Sequence, residues 1–467
     1  MAERLNEVEY DVVVIGGGAA GVSAAMAAAK NGARTLLVEA GPMIGGEMLS
    51  GLPIDGCLST RGEWVIGGVP REIFAEADRL GGYVGHFYDW RTIWVVCVDP
   101  EIMKIAVVNA VRRAGVQMLL YTFAEDVVVQ DGKITGVVLL NKNQRTLVRA
   151  KVFIDCSGDG DLAVLGGADY ELGGGGGKLF QPVSLVFRMS GVDTERLMRF
   201  VGEHPENVAV AENPYYADIP REEQVRRLVA QGYPKVFFSA SGPLIQKGIA
   251  DGKLHATALI GIGPVSMKRR EIYCNTTRIA DIDATRTDKL SNALPDLMDQ
   301  VWTCSGFLAS SVPGFEQAHF SGLAPRIGIR ETRRIVGDTP LTTEDVMTAR
   351  KRDDGVAKGA HHIDIHGAGT HQLRQPIPNG GSYDIPFGAL IAAKLKNVLI
   401  AGRCFSASRE AHGSARVMGT CMAMGQAVGT AAAMASEQNL LEDVRQVRVD
   451  ALRSRLKEQG AVIDGTH

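Results

Sequence analysis

Two histidines and an aspartate alternate with apolar residues in a pattern that could support proton transfer. His362, Asp364 and His366 are separated by Ile363 and Ile365. Because side chains on a strand alternate between its faces, the polar groups would share one face and the isoleucines the other. An imidazole beside a carboxylate suits acid–base catalysis, and His366 is the candidate. A metal face and an ordinary half-exposed strand are the alternatives. No metal site is predicted, because carboxylate–histidine hydrogen bonding explains the pattern without an ion.

A second group of polar side chains lies between an apolar run and a stretch of small residues. It consists of Arg403, Arg409, Glu410, His412 and Arg416. His412 is the first candidate for the proton donor or acceptor, and Arg409 or Arg416 could orient an anionic or carbonyl oxygen. Structural ion pairs are the alternative for these arginines. The Arg-rich residues 330–334 are interpreted as a solvated face, with substrate contact as the less favoured reading.

The elements that would hold these groups begin with a glycine-rich turn near the N-terminus. Residues 10–15 are apolar and β-branched, as in a buried parallel strand, and residues 19–30 are strong helix formers. Gly16 permits the turn between them, Gly18 lets the backbone approach a pyrophosphate, and Gly21 lets the helix pack on the strand. The helix N-terminus offers N–H groups to phosphates. The pattern predicts a dinucleotide site.

An acidic residue and a second glycine pair indicate which dinucleotide binds. Glu39 follows a second apolar run, roughly 20 residues after the glycine turn, where a carboxylate can accept hydrogen bonds from a ribose. Gly45 and Gly46 come soon afterwards, as in the FAD pattern, whereas an NAD domain would continue into another βα unit. Residues 261–264 are a glycine fragment without the third glycine or the acid. We therefore predict FAD, and no NAD(P)H-binding fold is apparent.

A small β-meander follows the first βαβ unit. Residues 126–130 and 133–140 read as strands joined by the turn residues Asp131 and Gly132, and residues 147–154 supply a further strand. A meander of this kind is the expected insertion of a two-dinucleotide-binding-fold flavoprotein. The fold class predicted is α/β, with a three-layer Rossmann-like FAD-binding domain that combines a parallel sheet and the meander.

These motifs resemble the FAD-dependent oxidoreductase family that shares the glutathione-reductase-type FAD fold and is distantly related to fumarate reductase and succinate dehydrogenase flavoproteins. The matching stretches are spread over nearly the whole chain. They are residues 45–53, 62–72, 154–161, 364–366, 383–386, 397–403, 410–412, 416–418 and 425–429. The resemblance implies that the C-terminal portion folds back to complete the FAD domain, around an inserted α+β substrate or cap domain.

The resemblance also extends the predicted FAD-binding set. A helix N-terminus near Gly419 and Thr420 would face the flavin N1–C2=O edge and stabilise the anion of reduced flavin, with a purely structural small-residue helix as the alternative. No histidine occurs between residues 1 and 85, where covalent relatives attach the flavin, so we predict non-covalent binding. The predicted set is Gly16, Gly18, Ala20, Gly21, Glu39, Ala40, Gly45, Gly46, Glu47, Met48, Ala124, Ser157, Gly158, Gly402, Arg403, Gly419 and Thr420.

A run of five glycines at residues 173–177 divides the chain. We interpret it as a flexible crossing into a second domain, with a cofactor loop as the alternative. The predicted organisation is the first part of the FAD-binding domain at 1–172 and the substrate or cap domain at 173–370. The returning FAD-binding part follows at 371–440, and a helical extension at 441–467.

Composition limits the partners and the compartment. The formal net charge is −3, which gives no electrostatic footprint for nucleic acid or an anionic membrane. Two apolar stretches, 12–29 and 417–435, are rich in alanine and glycine and fit packed helices better than membrane spans. No secretory signal is visible, and the 7 cysteines include no C-x-x-C pair, so reduced thiols in the cytoplasm are expected. A homodimer is expected only from general frequency.

The function predicted is that of an FAD-dependent oxidoreductase, a dehydrogenase or reductase that transfers a hydride between a small organic substrate and flavin N5. An FAD-dependent RNA-modifying flavoprotein is one alternative, disfavoured by the lack of a basic balance. A non-catalytic FAD-stabilised binding protein is another, disfavoured by the polar cluster around His412. The oxidised bond, the direction of reaction and the electron donor or acceptor stay open.

Overall fold

The computed structural model describes residues 6–367, 371–437 and 443–465. Two predicted domain boundaries, near 370 and 440, fall at gaps between these ranges. Residues 1–4, which bear on a secretory signal, lie outside the described residues. The strands are β1 (Asn6–Ile15), β2 (Thr35–Val38), β3 (Ile54–Asp55), β4 (Tyr83–Tyr88), β5 (Trp94–Val98), β6 (Gln117–Leu119), β7 (Phe123–Gln130), β8 (Lys133–Leu140), β9 (Arg145–Asp155), β10 (Tyr170–Leu172), β11 (Phe187–Ser190), β12 (Val236–Ser239), β13 (Leu259–Ser266), β14 (Glu271–Asn275), β15 (His319–Leu323), β16 (Arg333–Ile335), β17 (Gly355–Gly359), β18 (Ile363–His366), β19 (Gln372–Gln375), β20 (Tyr383–Pro386) and β21 (Val398–Ile400). The α-helices are α1 (Ala19–Lys30), α2 (Val69–Arg79), α3 (Pro100–Arg113), α4 (Asp161–Leu165), α5 (Thr194–Glu203), α6 (Arg221–Ala230), α7 (Pro243–Ala250), α8 (Thr287–Ser311), α9 (Thr343–Met347), α10 (Arg409–Ala415), α11 (Met418–Glu437) and α12 (Val449–Glu458).

The central sheet brings three strand ends to one edge. Its order is β6-β2-β1-β9-β8-β7, and β21 also pairs with β9. Strands β6, β2, β1, β9 and β21 run parallel, with Ile15 opposite Asp155 and Ile400 also opposite Asp155. The loops that follow β1, β9 and β21 therefore leave from the same edge, which is where ligands bind in open α/β sheets.

The alternating side chains of β1 separate two layers of core. Val12 and Val14 face a core shared with the helices, whereas Val13 and Ile15 face a core shared with β8 and β9. The antiparallel pair β7 and β8 turns at Asp131 (φ 50°) and Gly132 (φ 78°), both left-handed as in a tight two-residue hairpin. The predicted α/β fold with a parallel sheet and a meander is confirmed.

Helix α11, from the last part of the chain, packs closely on the N-terminal helix α1. A Cβ added at Gly425 would collide with the carbonyl oxygen of Ala20, and one at Gly429 with that of Ala24. Small residues here let two backbones approach, which explains why residues 417–435 combine glycine, alanine and almost complete burial. Among the described helices, none has both the length and the unbroken apolar character that crossing a bilayer requires.

A second core lies in the inserted α+β region. Its antiparallel sheet has the order β12-β13-β14-β11-β15, and its buried apolar residues run from Val183 to Ala324. Buried residues from Leu341 to Ile365 belong instead to the core of the FAD-binding region. The domain limits stay a prediction, but this packing favours a cap that ends before residue 341.

The five-glycine run connects the two cores through a hydrogen-bonded turn. The N–H of Gly174 donates to the Leu179 carbonyl (2.7 Å), and the N–H of Gly177 donates to that of Gly174 (3.1 Å). The flexible crossing between two domains stays a prediction, and the glycine run itself forms a hydrogen-bonded turn.

Candidate active site

The turn after β1 has the geometry that the glycine spacing predicted. Gly16 has φ +98°, and a Cβ there would collide with the Cys156 carbonyl. A Cβ at Gly21 would collide with the Gly16 carbonyl oxygen, so the helix can approach the strand only with glycine at this position. Glu39 closes the turn, because its Oε2 accepts a hydrogen bond from the Gly17 N–H (2.7 Å).

Space and donors for a pyrophosphate lie above this turn. A Cβ at Gly18 would meet nothing within 4 Å, and Gly18 is the N-cap of α1 without a side-chain hydrogen bond. Among the described residues, no acceptor is found for the N–H groups of Gly18, Ala19 and Ala20. Unpaired helix N-terminal donors and an open backbone cradle suit a bound diphosphate, so these residues fit FAD.

The cleft over the sheet edge has a volume of about 520 Å³. Most of the predicted FAD-binding residues line it. They are Gly16, Gly18, Ala20, Glu39, Ala40, Gly46, Glu47, Ala124, Ser157, Gly158, Gly402 and Arg403. The other predicted residues, Gly21, Gly45, Met48, Gly419 and Thr420, lie behind this surface, where their role is to shape the turns and helices that form it. The cofactor-binding set as a whole stays a prediction.

Side chains outside the predicted FAD-binding set complete the cleft. They are Thr122, Phe123, Asp159, Arg326 and Arg333. Asp159 forms an ion pair with Arg403 (2.9 Å) and accepts from Thr332 Oγ1 (2.7 Å). These contacts join the loops after β9 and β21 at the end of the sheet. They come from residues far apart in the chain, so no local pattern could have indicated them.

A second cavity, which we call the side cavity, opens from this cleft. Its volume is about 230 Å³, and it lies between the FAD-binding core and the cap. The residues that line both spaces are Glu47, Ile329, Arg403, Arg416 and Met418. Because Met418 begins α11, a helix N-terminus lies at the junction, where it favours negative charge.

One wall of the side cavity is the polar face of β18. His362, Asp364 and His366 all line it, while Ile363 and Ile365 pack in the core, which confirms the predicted alternation. His366 Nε2 donates to Asp364 Oδ2 (2.7 Å), so a carboxylate–histidine pair explains the pattern. Burial lowers the pKa of His366 to about 4 despite this neighbour. Burial would raise the pKa of Asp364, but its pairing with His366 holds it well below the usual range.

Three cations of the side cavity have no carboxylate within ion-pair distance among the described residues. Arg330 donates to the Pro182 carbonyl (2.6 Å) and to Ser184 Oγ, and Arg416 donates to the Asp364 carbonyl (3.3 Å). Lys235 is 1% exposed, and no hydrogen bond of its side-chain amine is found in the described chain. The interpretation of residues 330–334 as a solvated face is wrong. Arg330 lines the cavity, and Glu331, Thr332 and Arg334 are buried, because this stretch lies between the two cores.

Two further predicted catalytic residues lie away from the side cavity. His412 is 0% exposed and donates from Nε2 to the Arg403 carbonyl (2.7 Å). Burial holds its pKa well below the usual range, so it is a neutral support for the Arg403 loop in this geometry. Arg409 forms a paired contact with Glu331 (2.8 and 3.1 Å). Their catalytic roles stay predictions, and the geometry favours structural roles for both.

Acidic groups that sequence analysis missed face the three cations. Asp55 and Asp89 line the side cavity, and Asp55 Oδ1 is buried without a hydrogen-bond partner. Burial raises the pKa of Asp55 to about 7. Glu47, which belongs to the predicted FAD-binding set, lines both the cleft and the side cavity. Burial also raises its pKa. Single acids in otherwise apolar segments carry no spacing signal, which is why Asp55 escaped notice.

Comparison with known proteins agrees with the site. The profile of the FAD dependent oxidoreductase family matches residues 11–456. Digeranylgeranylglycerophospholipid reductase of Thermoplasma volcanium is 31% identical over 165 residues, which cover 32% of this chain and 39% of the relative. A tRNA uridine 5-carboxymethylaminomethyl modification enzyme of Streptococcus pyogenes is 31% identical over 144 residues, 28% of this chain and 21% of that enzyme. The chain therefore matches less than half the length of these relatives.

A solved structure provides a more extensive but weaker likeness. A geranylgeranyl bacteriochlorophyll reductase-like protein from Thermoplasma acidophilum covers 97% of this chain and 85% of its own, with 16% identity and a TM-score of 0.47. The family match spans nearly all of the sequence and confirms the resemblance seen in its motifs. The chain thus belongs to the FAD dependent oxidoreductase family and is an enzyme whose cofactor is FAD.

Proposed function

We propose that this enzyme is a dehydrogenase or reductase that transfers a hydride between carbon of a small organic anion and flavin N5. FAD, when bound, supplies the two-electron chemistry at its ring. The observation that carries the proposal is the side cavity. It joins the FAD cleft at Arg416 and Met418, and it is lined by cations without carboxylate partners.

The charges favour an anionic substrate. A buried cation is costly unless an opposite charge or a full set of acceptors compensates it. Arg330, Arg416 and Lys235 have only neutral partners or none, and Arg416 Nε is a buried donor without an acceptor. A carboxylate that enters the side cavity would supply the missing acceptors, and arginine binds carboxylates through paired N–H groups.

The volume and lining favour a small substrate. About 230 Å³ is below the roughly 300–1,000 Å³ of cavities that hold drug-sized ligands. The relatives include a reductase named for a digeranylgeranyl lipid, but the charged wall described here does not suit a long isoprenoid chain. RNA modification, named for another relative, is supported by no specific contact in the described chain. The proposed substrate is therefore a small molecule, and the proposal includes no nucleic-acid or membrane partner.

The chain's own residues then have distinct tasks. Arg330 and Arg416 bind and orient the anion beside the N-terminus of α11. His366 is a neutral imidazole that donates from Nε2 to Asp364, so only its Nδ1 is left, as an acceptor, for a hydrogen bond from the substrate. The cap strands β12 to β14 close the side cavity and limit water at the reacting atoms.

The test follows flavin colour without oxygen. The FAD-loaded protein is titrated anaerobically with hydroxy acids, amino acids and other small carboxylates, each matched with its neutral amide or alcohol. Bleaching of the flavin band by an acid, but not by its neutral partner, supports an anion dehydrogenase. Reoxidation of dithionite-reduced protein by an enoate or keto acid supports the reductase direction. If neither acids nor their reduced or oxidised partners change the flavin redox state, or if no FAD can be loaded, the proposal is wrong.

A further inference from the structure

A lysine and an aspartate, neither of which forms an ion pair among the described residues, line the same wall of the side cavity. Lys235 precedes β12 of the cap, whereas Asp55 ends β3 of the FAD-binding region. Both line the same space. Asp55 Oδ1 is buried without a hydrogen-bond partner, and no hydrogen bond or ion pair of the Lys235 amine is found in the described chain. Nothing in the sequence connects them, because they lie in different segments and different cores.

The surroundings of Lys235 support an amine that is held in place but not neutralised. Its Nζ lies 3.5 Å from the centroid of the Phe237 ring, a cation–π contact. A Cβ at Gly263 would lie 3.0 Å from Lys235 Cδ, so this glycine leaves room for the aliphatic stem. An apolar side chain would fill the same channel without the cost of a buried charge, which makes a packing role a poor explanation for lysine.

Asp55 lies next to the segment that would reach the flavin ring. A Cβ on the following residue, Gly56, would lie 2.9 Å from Thr420 Oγ1 and 3.3 Å from the Thr420 N–H. Gly56 therefore contacts the first turn of α11, at the junction of the two spaces. A group at Asp55 is close to the position where the substrate's reacting atoms would meet the cofactor.

We propose that Lys235, with Asp55 in the lining of the same cavity, transfers the substrate proton that accompanies hydride transfer. The inference rests on the proposed function. In the oxidative direction, the C–H bond breaks and its electron pair leaves with the hydrogen to FAD. The bond from hydrogen to the neighbouring substrate atom also breaks, its proton goes to the neutral Lys235 amine, and its electron pair forms the new double bond. Reduction is the reverse, with the Lys235 ammonium as the proton donor.

The protonation behaviour of the pair suits this role. Burial lowers the pKa of Lys235 to about 8, and burial raises the pKa of Asp55 to about 7. Both groups can therefore gain and lose a proton near neutral pH, as a general acid–base catalyst must. His366, with a pKa of about 4, is a weaker base at this pH.

Apart from Arg416, the other charged groups around the pair already have partners. Lys235 faces Asp55, Asp89, Cys97 and Arg91, and Asp55 also faces Asp364 and Arg416. Asp89 Oδ1 accepts from three backbone N–H groups, those of residues 91–93 (2.7–3.0 Å). Arg91 pairs with Glu212 (2.9 Å), and Asp364 with His366. These groups set the local field, while Lys235 and Asp55 stay free to exchange a proton.

The first experiment measures the Lys235 amine directly and needs no turnover. The FAD-loaded protein is pulse-labelled with acetic anhydride over a pH series, and Lys235 acetylation is read by peptide mass spectrometry. Exposed Lys268 and buried Lys358, which donates to Asp384 (2.6 Å), are references in the same digest. We expect labelling to rise with a midpoint near 8. In Asp55→Asn the midpoint should move to lower pH, because the carboxylate that favours the ammonium is gone. No labelling, an ordinary lysine midpoint, or indifference to Asp55→Asn overturns the proposal.

The second experiment measures the reductive half-reaction with a substrate from the anaerobic panel. Lys235→Met should slow flavin reduction about 10²–10⁴-fold and remove the rise in rate through pH 8. Lys235→Arg, which keeps the charge but does not release the proton, should be as slow. In Lys235→Ala, added ethylamine should restore part of the rate. Thermal melting and FAD content check that the variants fold.

The outcomes separate this inference from the proposed function. If wild-type flavin is reduced by an anion and Lys235→Met reduces it equally fast with the same pH profile, the lysine has no role in proton transfer. If no anion reduces or reoxidises the wild-type flavin, the proposed function fails instead.

Discussion

The FAD cleft and the side cavity adjoin each other but are built by opposite means. The cleft is formed by backbone: glycine turns, helix N-terminal N–H groups and strand ends at one sheet edge. The side cavity is lined by side chains from both cores, and among the charged ones Asp55 Oδ1 and Arg416 Nε are buried without a hydrogen-bond partner. The cofactor site can therefore be recognised from a local motif, whereas the substrate site depends on tertiary packing that brings distant residues together.

The largest expected effect breaks the cleft without breaking the fold. A Cβ at Gly18 meets no protein atom within 4 Å, so Gly18→Ala should keep the apoprotein's melting temperature. The methyl group would occupy the space for the pyrophosphate, so FAD affinity should fall by about 1,000-fold, or ~4 kcal/mol. Gly21→Ala is the contrasting variant, because its Cβ collides with Gly16 and should cost both stability and FAD. Titration of apoprotein with FAD and thermal melting measure both. Retained FAD affinity in Gly18→Ala would contradict a backbone-built cradle.

The next effect measures what it costs the fold to bury His366 as a neutral imidazole in the wall of the side cavity. Burial lowers the pKa of His366 from 6.5 to about 4, so between these values the unfolded chain binds a proton that the folded chain does not. Its contribution to the free energy of unfolding therefore falls as the pH falls from 6.5 to 4. His366→Gln removes this loss, and the difference between the two proteins should change by about 3 kcal/mol over that window. Urea unfolding with fixed excess FAD measures it, and parallel pH curves would show that His366 is not buried as a neutral imidazole.

A smaller effect tests whether the arginines of the side cavity, and not arginines elsewhere, bind the anion. Arg416→Met and Arg330→Met should each weaken the binding of a small carboxylate by about 30-fold, or ~2 kcal/mol, because each removes charged hydrogen bonds. Arg445→Met is the matched control, since Arg445 pairs with Asp338 (2.7 Å) outside both spaces. The readout is the flavin absorption shift as oxalate is added. If oxalate binds all three variants with equal affinity, Arg416 and Arg330 do not bind the carboxylate.

The smallest effect tests whether side chains of the cleft contribute little to FAD affinity. Phe123 lines it and is 57% exposed, so a bound cofactor would cover part of its ring. Phe123→Ala should weaken FAD binding only about fivefold, or ~1 kcal/mol, from lost apolar contact. Fluorescence titration with FAD gives the affinity. A loss as large as that of Gly18→Ala would mean that the cleft depends on side chains as much as the side cavity does.

Sequence patterns predicted the elements whose signals are contiguous. The βαβ unit with Gly16, Gly18 and Gly21, the hairpin at Asp131, and the alternation of β18 all follow from periodicity and turn chemistry. These signals come from local turn hydrogen bonds and from the alternation of side chains between two faces. Both involve only a few consecutive residues, so tertiary packing does not override them.

The sequence predicted poorly which way a side chain points and which distant residues become neighbours. His412 lies in the loop region that was expected near the flavin, but helix α10 turns its ring into the core beneath Arg403. Lys235 and Asp55 are isolated polar residues beside apolar strands, and only the contact of cap and FAD-binding region makes them neighbours. In the first case the expected segment reaches the cleft through Arg403 and Arg416, although His412 does not line it. In the second case nothing in the sequence indicated the pair.

The close packing of α11 on α1 has a consequence for biosynthesis. The glycine turn leaves the ribosome early, but Gly402, Arg403 and the helix that contacts Ala20 and Ala24 emerge only after the entire cap. Domains usually fold in the order of synthesis, yet here the N-terminal region has no complete partner surface until nearly all of the chain exists. The cap must therefore fold within an unfinished FAD domain. A ribosome-stalled chain that ends before Gly402 would expose the apolar face of α1 to chaperones and would not retain the flavin.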